Sequence, residues 1–236
     1  MGKQLLKHSM DQINNVMRSV IIGAGTYGQV YLAYLRESGV EVVGFLDDNP
    51  QLHGEKVLGL PVLGGVNILS ILREEYGIEA IYCPLGNNGL RVRFLNMARE
   101  YGYKTPNFIH HSVILSPDVQ ISDKGVYILG NTHIMPYAVI EEDVMISVGA
   151  NISHHSILKR GVFISTGVNF GASILAEENA YMGIGSIIMT GVNKIGKDCL
   201  IGAGACVIRD VPSGAVMAGV PAKLIKFKPG YGETIE

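Results

Sequence analysis

The sequence predicts an α/β domain of the nucleotide-binding kind followed by a parallel β-helix. Three observations carry this. An apolar strand runs into a glycine-rich loop and a helix near residue 20. Strands and helices then alternate to about residue 103. From there a six-residue apolar period takes over.

Ser19-Val20-Ile21-Ile22 is followed by Gly23-Ala24-Gly25-Thr26-Tyr27-Gly28, a G-x-G-x-x-G turn. Such glycines permit a tight turn and let a phosphate approach a helix N-terminus. Residues 29–38 read as that helix, stopped at Gly39. Val40 to Leu46 reads as the next strand and ends at Asp47-Asp48, where this fold places an acid for a ribose or a base. Residues 65–76 suit a helix, Ala80-Ile81-Tyr82-Cys83 a strand, and Leu90 to Tyr101 a helix. The alternation implies a parallel sheet with helices packed on it. Gly86-Asn87-Asn88-Gly89 falls at a strand's carboxyl end, where such sheets bind ligands. The candidate substrate-binding residues are Gly23, Gly25, Thr26, Tyr27, Gly28, Asp47, Asp48, Gly86 and Asn87.

The second part is read from its period. Large apolar residues recur every six positions at Ile128, Ile134, Ile140, Ile146, Ile152, Leu158, Ile164 and Phe170, then at Ala176, Met182 and Ile188. A one-residue slip near Asn193-Lys194 moves the series to Ile195, Ile201 and Val207. Four residues after each sits a small or β-branched residue, from Thr132 and Ala138 to Cys199 and Ala205. A helix would repeat at about 3.6 and a flat strand at 2, so neither explains six. A β-helix does: each unit is one face and one corner, and three units close a triangular coil. Glycine, Asn and Asp take the corners.

Composition agrees. The 236 residues include 30 glycines but only 19 basic and 21 acidic side chains, with net charge −2. Mean hydropathy is +0.26. An apolar, charge-poor chain of this kind is not disordered, and no basic face argues for nucleic acid or membrane. No apolar run is long enough to span a bilayer. Three widely spaced cysteines with no C-x-x-C argue against a disulfide frame or a zinc site. The polar residues 1–17 read as a leader without the apolar core of a signal peptide. Cytoplasmic location and no metal are the expectations.

Hexapeptide repeats ending in Gly219-Val220-Pro221-Ala222-Lys223 resemble the hexapeptide acyltransferases, left-handed β-helices that use acyl-CoA. With the Rossmann-like domain in front, the chain resembles the NeuD/PglD-type family of sialic acid O-acetyltransferases and nucleotide-aminosugar N-acetyltransferases. The resemblance covers about residues 18–228. Its landmarks are the glycine loop, Phe45-Leu46-Asp47-Asp48-Asn49, Leu85-Gly86-Asn87-Asn88 with Arg91, Gly149-Ala150-Asn151-Ile152-Ser153-His154, and Val207-Ile208-Arg209-Asp210-Val211-Pro212. It implies a Rossmann-like nucleotide-sugar-binding domain over 18–109 and a left-handed β-helix acyltransferase domain over 110–236. It also implies acetyl-CoA as co-substrate, a nucleotide-linked amino sugar as acceptor, and a homotrimer with active sites between chains. The expected reaction is N-acetylation of a 4-amino-deoxy sugar. The alternatives are O-acetylation of a sialic-type sugar or small hydroxyl compound, and a non-catalytic nucleotide-sugar-binding protein of the same fold.

Acetyl transfer needs a base for the acceptor's proton and a donor for the oxyanion. Histidine is the usual base, with an unperturbed pKa of about 6.5. Of seven histidines, His154 matches the family's base position. The next residue is His155 where the family usually has an acid, so His154 and His155 together are the catalytic candidates. Glu141, Glu142 and Asp143, of the same or an adjacent chain, are the candidates for the missing acid. Two further departures are Ser147 in place of Asn and Phe163 in place of a second histidine. By resemblance, backbone N–H groups near Gly171-Ala172 face the thioester, and the pantetheine arm passes Ile184, Gly202 and Ala203 toward Pro221 and Lys223. A γ-carbonic-anhydrase-type metal site is not expected, because there is no H-x4-H.

Overall fold

The structure, a computed structural model, describes residues 17–232. The expected leader lies outside the described residues except for Met17. Among the described residues, no helix is long and apolar enough to cross a membrane.

The first domain is a five-stranded sheet. Its elements are β1 (Ser19–Ile22), α1 (Thr26–Glu37), β2 (Val42–Leu46), β3 (Lys56–Val57), β4 (Leu60–Gly64), α2 (Leu72–Tyr76), β5 (Ala80–Tyr82) and α3 (Asn88–Glu100). The spatial order is β3-β4-β2-β1-β5, all parallel except the β3–β4 hairpin. β1 is wholly buried, as a central parallel strand must be. Gly28 is required by close packing, since a Cβ there would lie 1.8 Å from the Gly23 carbonyl oxygen.

Two expectations change. The helix expected over 65–76 is a 3-10 turn, Val66–Ser70, followed by the short α2. The β3–β4 hairpin was not expected. It turns on Leu58 and Gly59, both at positive φ, and Leu-Gly lacks the Asn-Gly signal of such turns.

From Phe108 the chain winds as a left-handed parallel β-helix of two-residue strands on three faces. The first face carries Phe108–Ile109, Tyr127–Ile128, Met145–Ile146, Phe163–Ile164, Tyr181–Met182 and Leu200–Ile201, then Ala215–Ala218 and Lys223–Phe227. The second runs from Ile114–Leu115 through Asn151–Ile152 to Cys206–Val207, and the third from Gln120–Ile121 to Lys194–Ile195. Every phase residue from Ile128 to Val207 is at most 1% exposed. The partners four residues on fill the remaining core. The corners repeat too. Positive φ recurs at Asn131, Tyr137, Asp143, Gly149, His155, Gly161, Gly167, Ser173, Asn179 and Gly185.

The first domain packs on the first face. Tyr127, Met145 and Phe163, one rung apart, point outward into a core shared with Tyr31, Leu32 and Phe45. Arg91 of α3 is fully buried and donates to the carbonyls of Leu85 (2.6 Å), Gly161 (2.7 Å) and Asp143 (3.0 Å). Burial pushes its guanidinium down to about 10, so it is still charged at neutral pH. Arg99 and Arg160 close on the buried Asp143 carboxylate at 2.9–3.1 Å.

Replacing Arg91 with Met leaves two buried carbonyls and the partly buried one of Leu85 unpaired, at about 1–3 kcal/mol for each buried group. The urea midpoint is expected to fall by the equivalent of at least ~2 kcal/mol. Loss of under ~1 kcal/mol would show that the guanidinium does not hold the junction. Burial also pushes the Cys83 and Cys199 thiols up to about 12, whereas Cys206 is half-buried. At pH 8 a chromogenic disulfide is expected to titrate one thiol in the native chain and three after denaturation. Three fast thiols in the native chain would contradict this.

Candidate functional site

The glycine loop, Asp47-Asp48 and Gly86-Asn87 come together at the carboxyl edge of the five-stranded sheet, as its topology dictates. Gly23 has φ +98, and Gly25, the N-cap of α1, has open space where a Cβ would stand. Thr26 opens the helix and is exposed.

The acids behave differently from each other. Asp47 accepts from Ala24 N–H (2.9 Å) and Asn49 N–H (2.9 Å). It orders the loop, with one N–H on each carboxylate oxygen. Asp48 accepts from Val66 N–H and is exposed at the edge of the crevice. Asn87 caps α3 through Leu90 N–H. Gly86 and Asn87 border a cavity of about 420 Å³ against Asn179, Tyr181 and Lys228 of the β-helix. Tyr27 reaches across the junction, sharing a 3.2 Å hydrogen bond with Ser147 and an edge contact with Phe163.

Ser147 and Phe163 are therefore junction residues. Both are buried, and Phe163 stacks on Tyr181 at 4.8 Å. Neither faces His154.

His154 lies on the corner between the second and third faces, just past Asn151–Ile152. In a triangular coil that corner is opposite the first face, which carries the other domain. A groove of about 410 Å³ follows the corner past Met135, Ser153, His154, Ala172, Ser173 and Thr190 to Asn193. The slip in the sequence period falls here. Ile188 to Ile195 spans seven residues, and the extra one lies in the Thr190–Asn193 turn that borders the groove.

The corner residues are unusual. The other two corners present Gly, Asn or Asp at positive φ over these coils. This one presents Tyr137 (φ 65), His155 (φ 57) and Ser173 (φ 59) in successive coils. Tyr and Ser avoid this region at a cost of about 1–3 kcal/mol each, whereas His tolerates it better, and retained strain of that kind clusters at functional sites. Tyr137, Ser173 and Thr190 were not among the sequence candidates. A break in the Gly/Asn/Asp rule at the third position after each phase residue was the signal that could have found two of them.

His154 Nδ1 stands 3.0 Å from His155 Nδ1, and the His155 ring packs on Tyr137 at 4.8 Å. One nitrogen must donate and the other accept. When His154 donates, its Nε2 keeps a lone pair toward the groove, the form a base requires.

The acid candidates are elsewhere. Glu141 pairs with Lys159 (2.8 Å), Glu142 with Arg160 (3.1 Å), and Asp143 is buried among arginines. All three lie on the junction side, so within one chain His155, and none of these acids, is the group beside His154 Nδ1.

Of the donor residues, Gly171 is excluded, because its N–H is committed to the Ile188 carbonyl at 2.9 Å. Ala172 lines the groove, and its N–H reaches Thr190 Oγ1 at 3.2 Å, a long contact that a better acceptor can replace. Ile184, Gly202 and Ala203 lie on the next corner, between the first and second faces. Pro221 and Lys223 follow Gly219, whose carbonyl accepts from Cys206 N–H at the end of the second face. The second face thus separates these residues from His154.

Comparisons with known proteins bear on the fold and the family. Residues 18–98 match the family model of the PglD N-terminal domain. PerB from Caulobacter crescentus, solved in complex with CoA and GDP-perosamine, superposes with TM-score 0.82 at 32% identity, over 89% of this chain and 98% of that one. The acetyltransferase domain of PglB from Neisseria gonorrhoeae, in complex with acetyl coenzyme A, gives TM-score 0.78 at 26% identity over 88% and 98%. A curated 2,3,4,5-tetrahydropyridine-2,6-dicarboxylate N-acetyltransferase from Staphylococcus aureus is 45% identical over 53 residues. That segment spans 22% of this chain and 22% of the relative, so the chain matches under a quarter of that relative's length. On the two-domain architecture, the unbroken six-residue coils and this end-to-end likeness, the chain belongs to the NeuD/PglD-type family of hexapeptide-repeat acyltransferases.

Proposed function

We propose that the protein transfers an acetyl group from acetyl-CoA to the amine of a nucleotide-linked 4-amino-deoxy sugar, with His154 as general base. The observation that carries this is the strained corner. Tyr137 and Ser173, both unsuited to positive φ, lie in the coils on either side of His154, whose groove also holds a replaceable backbone N–H. The full-length likeness to PerB, solved with CoA and GDP-perosamine, supports the co-substrate and the class of acceptor.

In this reading the amine nitrogen attacks the thioester carbonyl while His154 Nε2 takes its proton. The Ala172 N–H stabilises the developing oxyanion. The C–S bond then breaks, and the imidazolium returns the proton to the departing CoA thiolate. His155 accepts from His154 Nδ1 throughout and fixes the tautomer. The pantetheine arm follows the second face past Ile184, Gly202 and Ala203 toward Pro221 and Lys223.

The same topology argues for sites between chains. The nucleotide crevice opens beside the first face, and His154 stands on the opposite corner. One copy's crevice therefore serves another copy's His154, in a homotrimer. The exposed Tyr137, Ile187 and Met189 around that corner are the apolar surface such a contact would cover.

His154→Ala is expected to lower kcat by about 10²–10⁴-fold with acetyl-CoA and a 4-amino sugar nucleotide. Unchanged turnover in His154→Ala would remove the base assignment, and an equal rate with a hydroxyl acceptor would remove the amine.

Sharing between chains is tested by complementation. Gly25→Trp fills open space in the crevice, and His154→Ala removes the base. Each alone is inactive, but co-expressed in equal amounts they are expected to recover about a quarter of the wild-type rate, because one site in four pairs two intact halves. No recovery in mixed oligomers would place both halves in one chain.

A further inference from the structure

We propose that Glu37, His110 and His111 form a binding site for a divalent transition-metal ion, Zn2+ being the probe of choice. It would strap the end of α1 to the first coil of the β-helix. One donor atom from each of the three lies within 4.8 Å of the other two. Donors around a tetrahedral zinc, at about 2.0–2.2 Å from the ion, stand about 3.3 Å apart. Small side-chain rotations close that difference.

The local structure is built around His110. Neighbouring side chains on a strand point to opposite faces. Here the strand ends at Ile109 and the chain turns, so the His110 and His111 rings lie side by side, 4.1 Å apart and 32° from parallel. Tyr34 of α1 meets His110 edge-on at 5.3 Å. The Ser112 hydroxyl lies 2.9 Å from His110 Nδ1. Ser112 N–H also donates to that nitrogen at 3.2 Å, so binding an ion through Nε2 requires the ring proton to move to Nδ1 and to donate to the Ser112 hydroxyl, the usual arrangement behind a metal-bound histidine. In the next coil, a Cβ at Gly130 would stand 3.0 Å from His110 Nδ1 and 2.8 Å from Ser112 Oγ. Gly130 does not have positive φ, so it answers a need for space, not for a turn.

Glu37 supplies the third ligand and a reason for a cation. It is the last residue of α1, where the helix dipole disfavours a carboxylate. Among the described residues it makes no ion pair. Two imidazoles and one carboxylate, with a fourth position for water, match the chemistry of zinc. Arg91 fastens the corner where the third face meets the first. The proposed ion would fasten the other edge of the first face, where Ile109 leads into His110.

The test uses the untagged full-length chain and titration with Zn2+ against a chromophoric chelator. The His154-His155 pair is a competing zinc ligand, so His154→Ala/His155→Ala is the background. One Zn2+ per chain is expected to remain in that background. Adding Glu37→Gln is expected to weaken it at least tenfold and His111→Ala further, and Zn2+ is expected to raise the melting temperature only while all three ligands are present. Zn2+ binding that vanishes in the background variant, or that Glu37→Gln and His111→Ala leave unchanged, would overturn the proposal.

Discussion

The arrangement depends on one buried cation. Arg91 has no acid of its own. It spreads its charge over the carbonyls of Leu85, Asp143 and Gly161, two of which belong to the β-helix. This fixes α3, and with it the Leu85-Gly86-Asn87 loop, against one edge of the prism. The crevice at the sheet's carboxyl edge is then held beside the first face, and the His154 corner is left on the far side. A buried charge is tolerable only when its donors are satisfied, and the coil's repeating backbone supplies carbonyls at the spacing a guanidinium fork needs.

The β-helix contributes rigidity more than chemistry. Its interior is filled by one large and one small side chain per unit, at six-residue intervals without a break from Ile128 to Ile188. A groove on its corner is therefore supported from within by packed aliphatic side chains, and its lining residues sit at backbone angles that neighbouring coils impose. Two of the corner residues at positive φ are tied to the coil before them, His155 N–H to the Pro136 carbonyl at 3.2 Å and Ser173 N–H to that of His154 at 3.0 Å.

Most of the fold was legible because its rules are periodic or local. The six-residue series fixed the strands, the slip at Asn193-Lys194 was real, and the glycine loop and α1 stood where the motif put them. The β3–β4 hairpin was not legible, because Leu58-Gly59 carries half the usual turn signal. Of the candidate site, His154 is read from its motif, and the structure puts it on a groove. The roles of Phe163 and Ser147 were not legible, because position in the repeat says which face a residue is on but not what covers that face. The motif predicts an acid at Asp47, but not that it also orders the glycine loop through Ala24 N–H. Glu37 and the two histidines are separated by most of a domain in the chain, so no spacing rule could join them.

A solenoid also makes distance countable. Between the rung of Asn151–Ile152, beside His154, and the rung of Cys206–Val207, beside Gly219 and Lys223, there are three steps on the second face. At a strand spacing of about 4.8 Å, they amount to a ruler of about 14 Å. Its length is set by the number of repeats and not by any side chain. Deleting or duplicating eighteen residues would shorten or lengthen the ruler by one graduation while every core contact finds an equivalent partner. Any donor that is anchored near Lys223 and delivers its group at His154 is selected first by how far it reaches.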